Sequence, residues 1–470
     1  MNRGFAILIL VFLAGCAHYH PEPISPSDTA AKLNARSLDD PAFRRFLEKN
    51  TGRQFDEWPL KSWDFDTLTL AALYYHPSLE VARAQWLLAL GGDKTAAQSP
   101  NPSVSAQPGY DFSAMSGVNP WIPGVVFDVP IETMGKRGYR KAQAAHLSDS
   151  ARRSIATAAW QVRSNLRGAL IDYVAARKRA ELLQKQRDLQ RRVVQALDEQ
   201  LQAGAVSTPE VTTMKIALQR AELDLTDARR QQTDARMRVA DAIGVPAKAL
   251  ASVRLAYNLS AKHPEAAHLM SAQVRDEALK NRADILGALD DYAASQSALQ
   301  LEIAKQYPDI HLAPYYQYNQ GDHQFTLQVT ADLPILNQNQ GPIAEAEAKR
   351  KLAAAQFLAL QAKVMSDIDR AVVAYRVTRE NLTGLEALGA AQKKQTDSVA
   401  AQAQAGAMAQ FDLLNSQLEL ATGELAQLDG RVKLEQAYAA LEDAVQRPLA
   451  TLKPALIEQP PAQAMKEKKP

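Results

Sequence analysis

The chain has 470 residues, with 54 Lys plus Arg against 52 Asp plus Glu, so it is almost neutral. That balance removes the basic face that nucleic-acid binding requires, and pairs such as Arg152-Arg153, Arg191-Arg192 and Arg229-Arg230 read as solvated helix surface. Hydrophobic residues make up 46%, dominated by alanine, and Cys16 is the single cysteine, so no internal disulfide or thiolate metal site can form.

Residues 1–16 read as an export signal: Arg3, an apolar core over Phe5–Leu13, then Leu13-Ala14-Gly15-Cys16. The apolar run is shorter than the about 20 residues a spanning helix needs. Its ending is similar to the lipobox of bacterial lipoproteins, which implies lipidation at Cys16 and, with Ala17 following, an outer-membrane anchor. Residues 17–66 carry prolines and little periodicity and read as an extended segment along the outside of the molecule.

From residue 67 the chain repeats itself. Asp128-Val129-Pro130-Ile131 recurs as Asp332-Leu333-Pro334-Ile335, 204 residues later, and Ala203-Gly204-Ala205 recurs as Ala405-Gly406-Ala407, 202 residues later. Pro102 and Pro308 open strand-like segments, and Pro246 and Pro448 close helical ones, in the same order. Landmarks in one order at near-constant spacing mark a duplication. The copies occupy 67–246 and 271–448, joined by a connector at 247–270 and followed by a tail at 449–470 that reads as disordered.

Each copy opens with a helix, about Thr67–Thr95 in the first. Two strands follow. In the second copy Ile310, Leu312, Pro314, Tyr316 and Tyr318 share one face, as do Phe325, Leu327, Val329, Ala331 and Leu333. Gln324, Thr326, Gln328, Thr330 and Asp332 alternate with the latter, a period-two pattern of membrane-barrel type. The first copy is parallel, with Val104, Ala106, Pro108, Tyr110 and Phe112, then Val125, Phe127, Val129 and Ile131. Four strands cannot close a barrel, since the smallest membrane barrels have about eight, so the membrane reading requires several copies.

Pro130 and Pro334 bend the strands away, and Gly135 and Gly341 open the next helices. Residues 136–202 then contain no proline, and Ile155, Ala159, Val162, Leu166, Ala169, Tyr173, Ala176, Ala180 and Leu183 step by 4 and 3, a left-handed coiled-coil seam. At ~1.5 Å per residue such a helix reaches on the order of 100 Å. The segment of about Pro342–Gln404 is its equivalent. Helices of about Thr67–Thr95 and Thr208–Ile243, laid end to end, span nearly the same length as the long one. The expected fold is therefore mainly α with a small β part, internally duplicated.

The order of these elements, the Ala-Gly-Ala turns and the stretch Phe411-Asp412-Leu413-Leu414-Asn415-Ser416-Gln417 resemble the TolC-type outer-membrane efflux family over about Leu68–Pro448. The resemblance implies a homotrimer, a twelve-stranded barrel continued by a helical tube, and a passive duct with no enzymatic activity. It also implies a periplasmic adaptor and an inner-membrane pump of RND type as partners. Ile131–Arg137 and Leu333–Gly341 look like the branch that serves heavy-metal exporters. Gly204 and Gly406 fall at the periplasmic tip, and the family places an acid at the position of Asp412, with Glu210 its counterpart in the first copy. A trimer would thus ring its mouth with carboxylates; Asn415 departs from the family, which often has a second acid there. No cofactor motif or metal-ligand spacing occurs, and no phosphate loop or catalytic signature. The competing readings are a duct of the same family for drugs or other small molecules, a coiled-coil periplasmic adaptor, and a structural lipoprotein.

Overall fold

The computed structural model describes residues 19–261, 263 and 272–449. The signal segment with Cys16, most of the connector's second half, and the tail from 450 lie outside the described residues. Elements run α1 (Pro26–Asn34), α2 (Pro41–Thr51), β1 (Ser62–Trp63), α3 (Phe65–Tyr75), α4 (Pro77–Ala97), β2 (Ser103–Tyr110), β3 (Trp121–Ile131), α5 (Lys136–Gln202) and α6 (Thr208–Ile243). They continue as β4 (Arg254–Leu255), α7 (Ala272–Asn281), α8 (Ala283–Ala304), β5 (Ile310–Asn319), β6 (Asp322–Ala331), α9 (Gln340–Gln404) and α10 (Gln410–Val445).

Two expectations need correction. Residues 17–66 are not simply extended: Ser25 and Asp40 cap α1 and α2, each with proline at the start of the first turn. Those prolines sit where proline's missing N–H costs nothing. The helix expected over Thr67–Thr95 is two helices, because His76 is held extended ahead of Pro77 and serves as the cap of α4.

The helices form a layer organised by α5 and α9. Near the strands, α5 packs against α4 on one side and α8 on the other; farther down it packs against α6 and α10. The second long helix, α9, packs against α8 and α10. Each continuous helix therefore lies beside two shorter ones stacked end to end. None of the nine expected seam positions on α5 is exposed. Leu170, Ile171 and Val174 are buried as well, since α5 has neighbours on both sides and carries two seams.

The stack of α4 on α6 depends on one glycine. Gly244 ends α6 at φ +84°, and a Cβ there would lie 2.9 Å from both the Cα of His76 and the carbonyl oxygen of Tyr75. The Arg36 guanidinium, just past α1, donates to the carbonyls of Tyr75 (2.7 Å) and Gly244 (2.8 Å) and ties the joint. In the second copy Arg282, the cap of α8, bonds the Asp443 and Ala444 carbonyls at the end of α10. A parallel β1–β4 pair fastens the N-terminal segment to the connector, over a core that includes Phe43, Trp63, Leu68 and Leu250.

The four longer strands make one antiparallel sheet in the order β2-β3-β5-β6. The β5–β6 turn is two residues, Gln320 (φ +50°) and Gly321 (φ +108°), whose positive angles suit the twist of a hairpin.

Candidate functional site

The sheet's two faces differ in chemistry. Cross-strand partners on one face are Val104 with Phe127, Ala106 with Val125, Val125 with Tyr316, Leu312 with Val329, Pro314 with Leu327, and Tyr316 with Phe325. This face is apolar over all four strands and open, with Phe325 81% and Leu327 65% exposed. The other face carries Ser103, Ser105, Gln107, Asp128, His311, Gln317, Gln324 and Gln328, and His311 Nδ1 lies 3.0 Å from Asp128. Aromatic pairs, Tyr110 with Trp121 and Tyr316 with Phe325, gather toward the hairpin tips. Strands of 8–11 residues with an apolar outer face and aromatics toward one end have the dimensions of barrel-spanning strands.

At the strand-to-helix junctions the copies differ. Gly135, at φ +70°, opens α5, whereas Gly341 lies inside the first turn of α9 and the left-handed position belongs to Asn339 (φ +63°). Asparagine is among the few residues that tolerate that region, so Asn339, 204 residues after Gly135, takes the role expected of Gly341. Pro130 remains paired within β3, opposite His311, while Pro334 lies beyond β6. Lys136 Nζ bonds Asp309 (2.7 Å) and the Tyr307 carbonyl (2.6 Å) in the first copy. In the second, Asn339 bonds the carbonyl and carboxylate of Glu302.

At the far end, the turns after α5 and α9 are geometrically equivalent. Gly204 (φ +71°) and Gly406 (φ +73°) follow the last helical turns. Ala205 N–H bonds the Gln200 carbonyl at 2.8 Å, and Ala407 N–H bonds Gln402 at 2.9 Å. This is the glycine-terminated helix stop, and it reverses the chain into α6 and α10. Equivalence ends with the carboxylates. Glu210 folds back onto its own helix start, accepting from the Ser207 N–H (3.1 Å) and hydroxyl (3.2 Å). Asp412 follows Ala409, which has no side chain to cap with, and its exposed carboxylate has no partner among the described residues. Beneath the turns Leu189, Val193, Leu197, Val211, Leu414 and Ala421 pack together and fix the two hairpins to each other.

Sequence reasoning missed a buried ionic network at mid-height. Arg163 and Arg167 of α5 both reach Glu442 of α10, the former at 3.1 Å. Glu442 also accepts from the Leu449 N–H at 2.9 Å. Tyr257 from the connector donates to Glu435 at 2.9 Å, and His263 Nε2 meets the same carboxylate at 2.5 Å while its ring stacks on Tyr438. Burial is the main force pushing the Tyr257 hydroxyl up to about 12, partly opposed by the Arg167 charge. Burial also raises Asp443, against hydrogen bonds from Ser164 and Trp160. The available signal was charge beside apolar seam residues: Arg163 follows Val162 and Arg167 follows Leu166. Among the described residues no cluster of His, Cys, Asp or Glu is placed to hold a metal, and no helix is long and apolar enough to cross a membrane.

The molecule is thus a four-stranded sheet with one apolar face, set on a layer of helices whose longest members reach about 100 Å. Residues 70–245 match the family described as outer membrane efflux protein. The chain is similar in structure to the VceC outer-membrane protein of Vibrio cholerae (TM-score 0.67, 17% identity, 81% of this chain and 95% of that one). The outer-membrane channel OprN gives a TM-score of 0.68 at 17% identity, covering 92% and 99%, and CusC gives 0.66 at 14%, covering 85% and 96%. A curated relative, the cobalt-zinc-cadmium resistance protein CzcC of Cupriavidus metallidurans, is 22% identical over 234 residues, 49% of this chain. The match spans 54%, about half, of that relative's length. The sequence likeness to the outer membrane efflux protein family thus covers residues 70–245, and the solved outer-membrane channels share this chain's fold.

Proposed function

We propose that three copies close a twelve-stranded barrel and a helical tube beneath it, forming the exit duct of a tripartite efflux system. The observation that carries this is the unfinished sheet: among the described residues β2 and β6 are both unpaired edges, and the apolar face runs uninterrupted from one to the other. Unpaired backbone in lipid costs several kcal/mol per group, so such a sheet is stable in a membrane only when closed. The helix layer is open in the same way, with Leu352, Leu358 and Val373 exposed along α9 and Leu87, Leu88 and Leu223 exposed along α4 and α6. A periplasmic adaptor and an inner-membrane pump of RND type supply the duct, and Cys16 anchors each chain by lipid.

The cargo is heavy-metal cations. The likeness to a cobalt-zinc-cadmium resistance protein supports that choice, as does the free carboxylate of Asp412 at a tip where three copies would converge. Asp412 is the gate residue, and Glu210 contributes charge there while tied to its own helix. Deleting the gene tests the cargo: cells should become sensitive to cobalt, zinc or cadmium and keep their resistance to drugs. Drug sensitivity with unchanged metal tolerance would move the assignment to a small-molecule duct. In planar bilayers, Asp412→Ala should weaken block by divalent cations from the periplasmic side; unchanged block removes Asp412 from the gate.

A further inference from the structure

The duplication specifies how one copy meets the next, a step that rests on the trimeric reading above. Inside the chain β3 of the first copy pairs with β5 of the second, so that Ile131 faces Ile310, Val129 faces Leu312, Val126 faces Tyr315 and Val125 faces Tyr316. The unpaired edges are the equivalents of these two strands. Asp128 corresponds to Asp332, so β6 is β3 moved by 204 residues; Pro308 corresponds to Pro102, so β2 is β5 moved by 206. We infer that β6 of one copy pairs antiparallel with β2 of its neighbour in the transferred register. Ile335 then faces Val104 of the neighbouring copy, Leu333 faces Ala106, Thr330 faces Gly109 and Val329 faces Tyr110.

Three further observations agree with this register. It sets apolar against apolar, Leu333 and Ile335 against Ala106 and Val104, on the face already apolar across the whole sheet. A slip of one residue would turn that face inward. It also accounts for apolar side chains left in the open: Leu333 is 74% exposed and Ile335 73%. Finally, β6 stops at Ala331 in the single chain, whereas its counterpart β3 continues through Pro130 to Ile131. Proline is no obstacle, because Pro130 sits paired opposite His311. What 332–335 lacks is the neighbouring strand. In its absence Ile335 N–H turns back onto the Leu333 carbonyl at 2.8 Å. These residues become strand when the barrel closes, so the last stretch of β6 folds on assembly.

Cysteine pairs test the register, since directly opposed strand residues approach to about 4.5–5.5 Å between Cα atoms, within disulfide reach. Within one chain β2 and β6 lie at opposite edges of the sheet, so any bond between them joins two copies. The full-length protein carrying Leu333→Cys with Ala106→Cys, or Thr330→Cys with Gly109→Cys, should give reducible bands at two and three times the chain mass on mild oxidation. These two pairs occupy alternate rungs, so one has the closer geometry. Each single substitution should give none. Cross-linking at the slipped pairs, Leu333→Cys with Val104→Cys or with Pro108→Cys, in place of the matched ones overturns the register. An amine-reactive cross-linker applied to the same preparations separates the two levels: trimers without any disulfide at the matched pairs refute the seam alone, and absence of trimers refutes the duct reading as well.

Discussion

Replacing Glu442 with alanine should destabilise the chain more than any surface ion-pair deletion. Glu442 is 2% exposed and accepts from two guanidinium groups, Arg163 and Arg167, themselves nearly buried, and from a backbone N–H. Removing the carboxylate strands two buried cations that cannot shed their charge. Breaking a buried pair in this way costs about 3–5 kcal/mol, most of it the penalty for the abandoned charge. Lys185–Glu424 is the internal reference, because its side chains are 50% and 33% exposed and such pairs contribute about 1 kcal/mol or less. Urea unfolding of the detergent-solubilised protein, followed by protein fluorescence and trypsin resistance, compares Glu442→Ala with Glu424→Ala. Glu442→Gln should fall between them, because its one amide oxygen can still accept from the arginines while the charge and the second acceptor, used by the Leu449 N–H, are lost. Substituting leucine at Arg163, Arg167 and Glu442 together should recover part of the loss, since no buried charge of that triad is left without its partner. Equal midpoints for Glu442→Ala and Glu424→Ala would refute the idea that this network holds α5 to α10.

Gly244→Ala should cost about 2–4 kcal/mol, combining left-handed strain with a backbone clash, whereas Gly204→Ala, with open space around it, should cost about 1 kcal/mol; thermal melts of the two variants check the difference. Asp443→Asn should raise stability at neutral pH while keeping the bonds to Trp160 and Ser164. Because burial raises this carboxyl above its ordinary 3.8, the folded state holds the proton more tightly, and the wild type loses stability as pH rises through the raised value. The gain from Asp443→Asn should therefore vanish in acid and grow toward neutrality, and urea midpoints across that range would show it. Glu210→Ala should fray the start of α6 by removing its cap, seen as faster amide exchange there, and should leave cation block nearly intact.

What the sequence made legible followed from periodicity. The long helix over 136–202 was readable to the residue because proline is absent and apolar residues recur at 4 and 3, and the strands were readable because one apolar and one polar sheet face impose period two. The equatorial network was not, since Arg163, Arg167, Glu435 and Glu442 lie on helices whose composition is that of a solvated face. Only the packing of α5 on both sides shows that its charged flank is a second interior seam. The same limit applies to Gly341: the sequence pattern aligned one glycine with another, whereas the backbone placed Asn339 at the left-handed position.

The two copies share a backbone plan and differ in what their side chains leave available. At each tip a glycine stop turns one helix into the next with the same hydrogen bonds, but Ser207 engages the carboxylate of Glu210 and Ala409 offers nothing to Asp412. A helix start is electropositive, so an acid there is stabilised in either case. The capped acid has its geometry set by its own helix. The uncapped acid can be oriented by whatever enters from outside or approaches from a neighbouring copy. Restoring the cap with Ala409→Ser is therefore a sharper probe than removing the charge, because it changes the freedom of the second helix start and not the net charge of the mouth. If Asp412 acts as the gate, Ala409→Ser combined with Asp412→Glu, which rebuilds the Ser207–Glu210 arrangement in the second copy, should reduce cation block while all carboxylates remain. Block equal to wild type in that variant would show that charge alone, not its availability, governs the mouth.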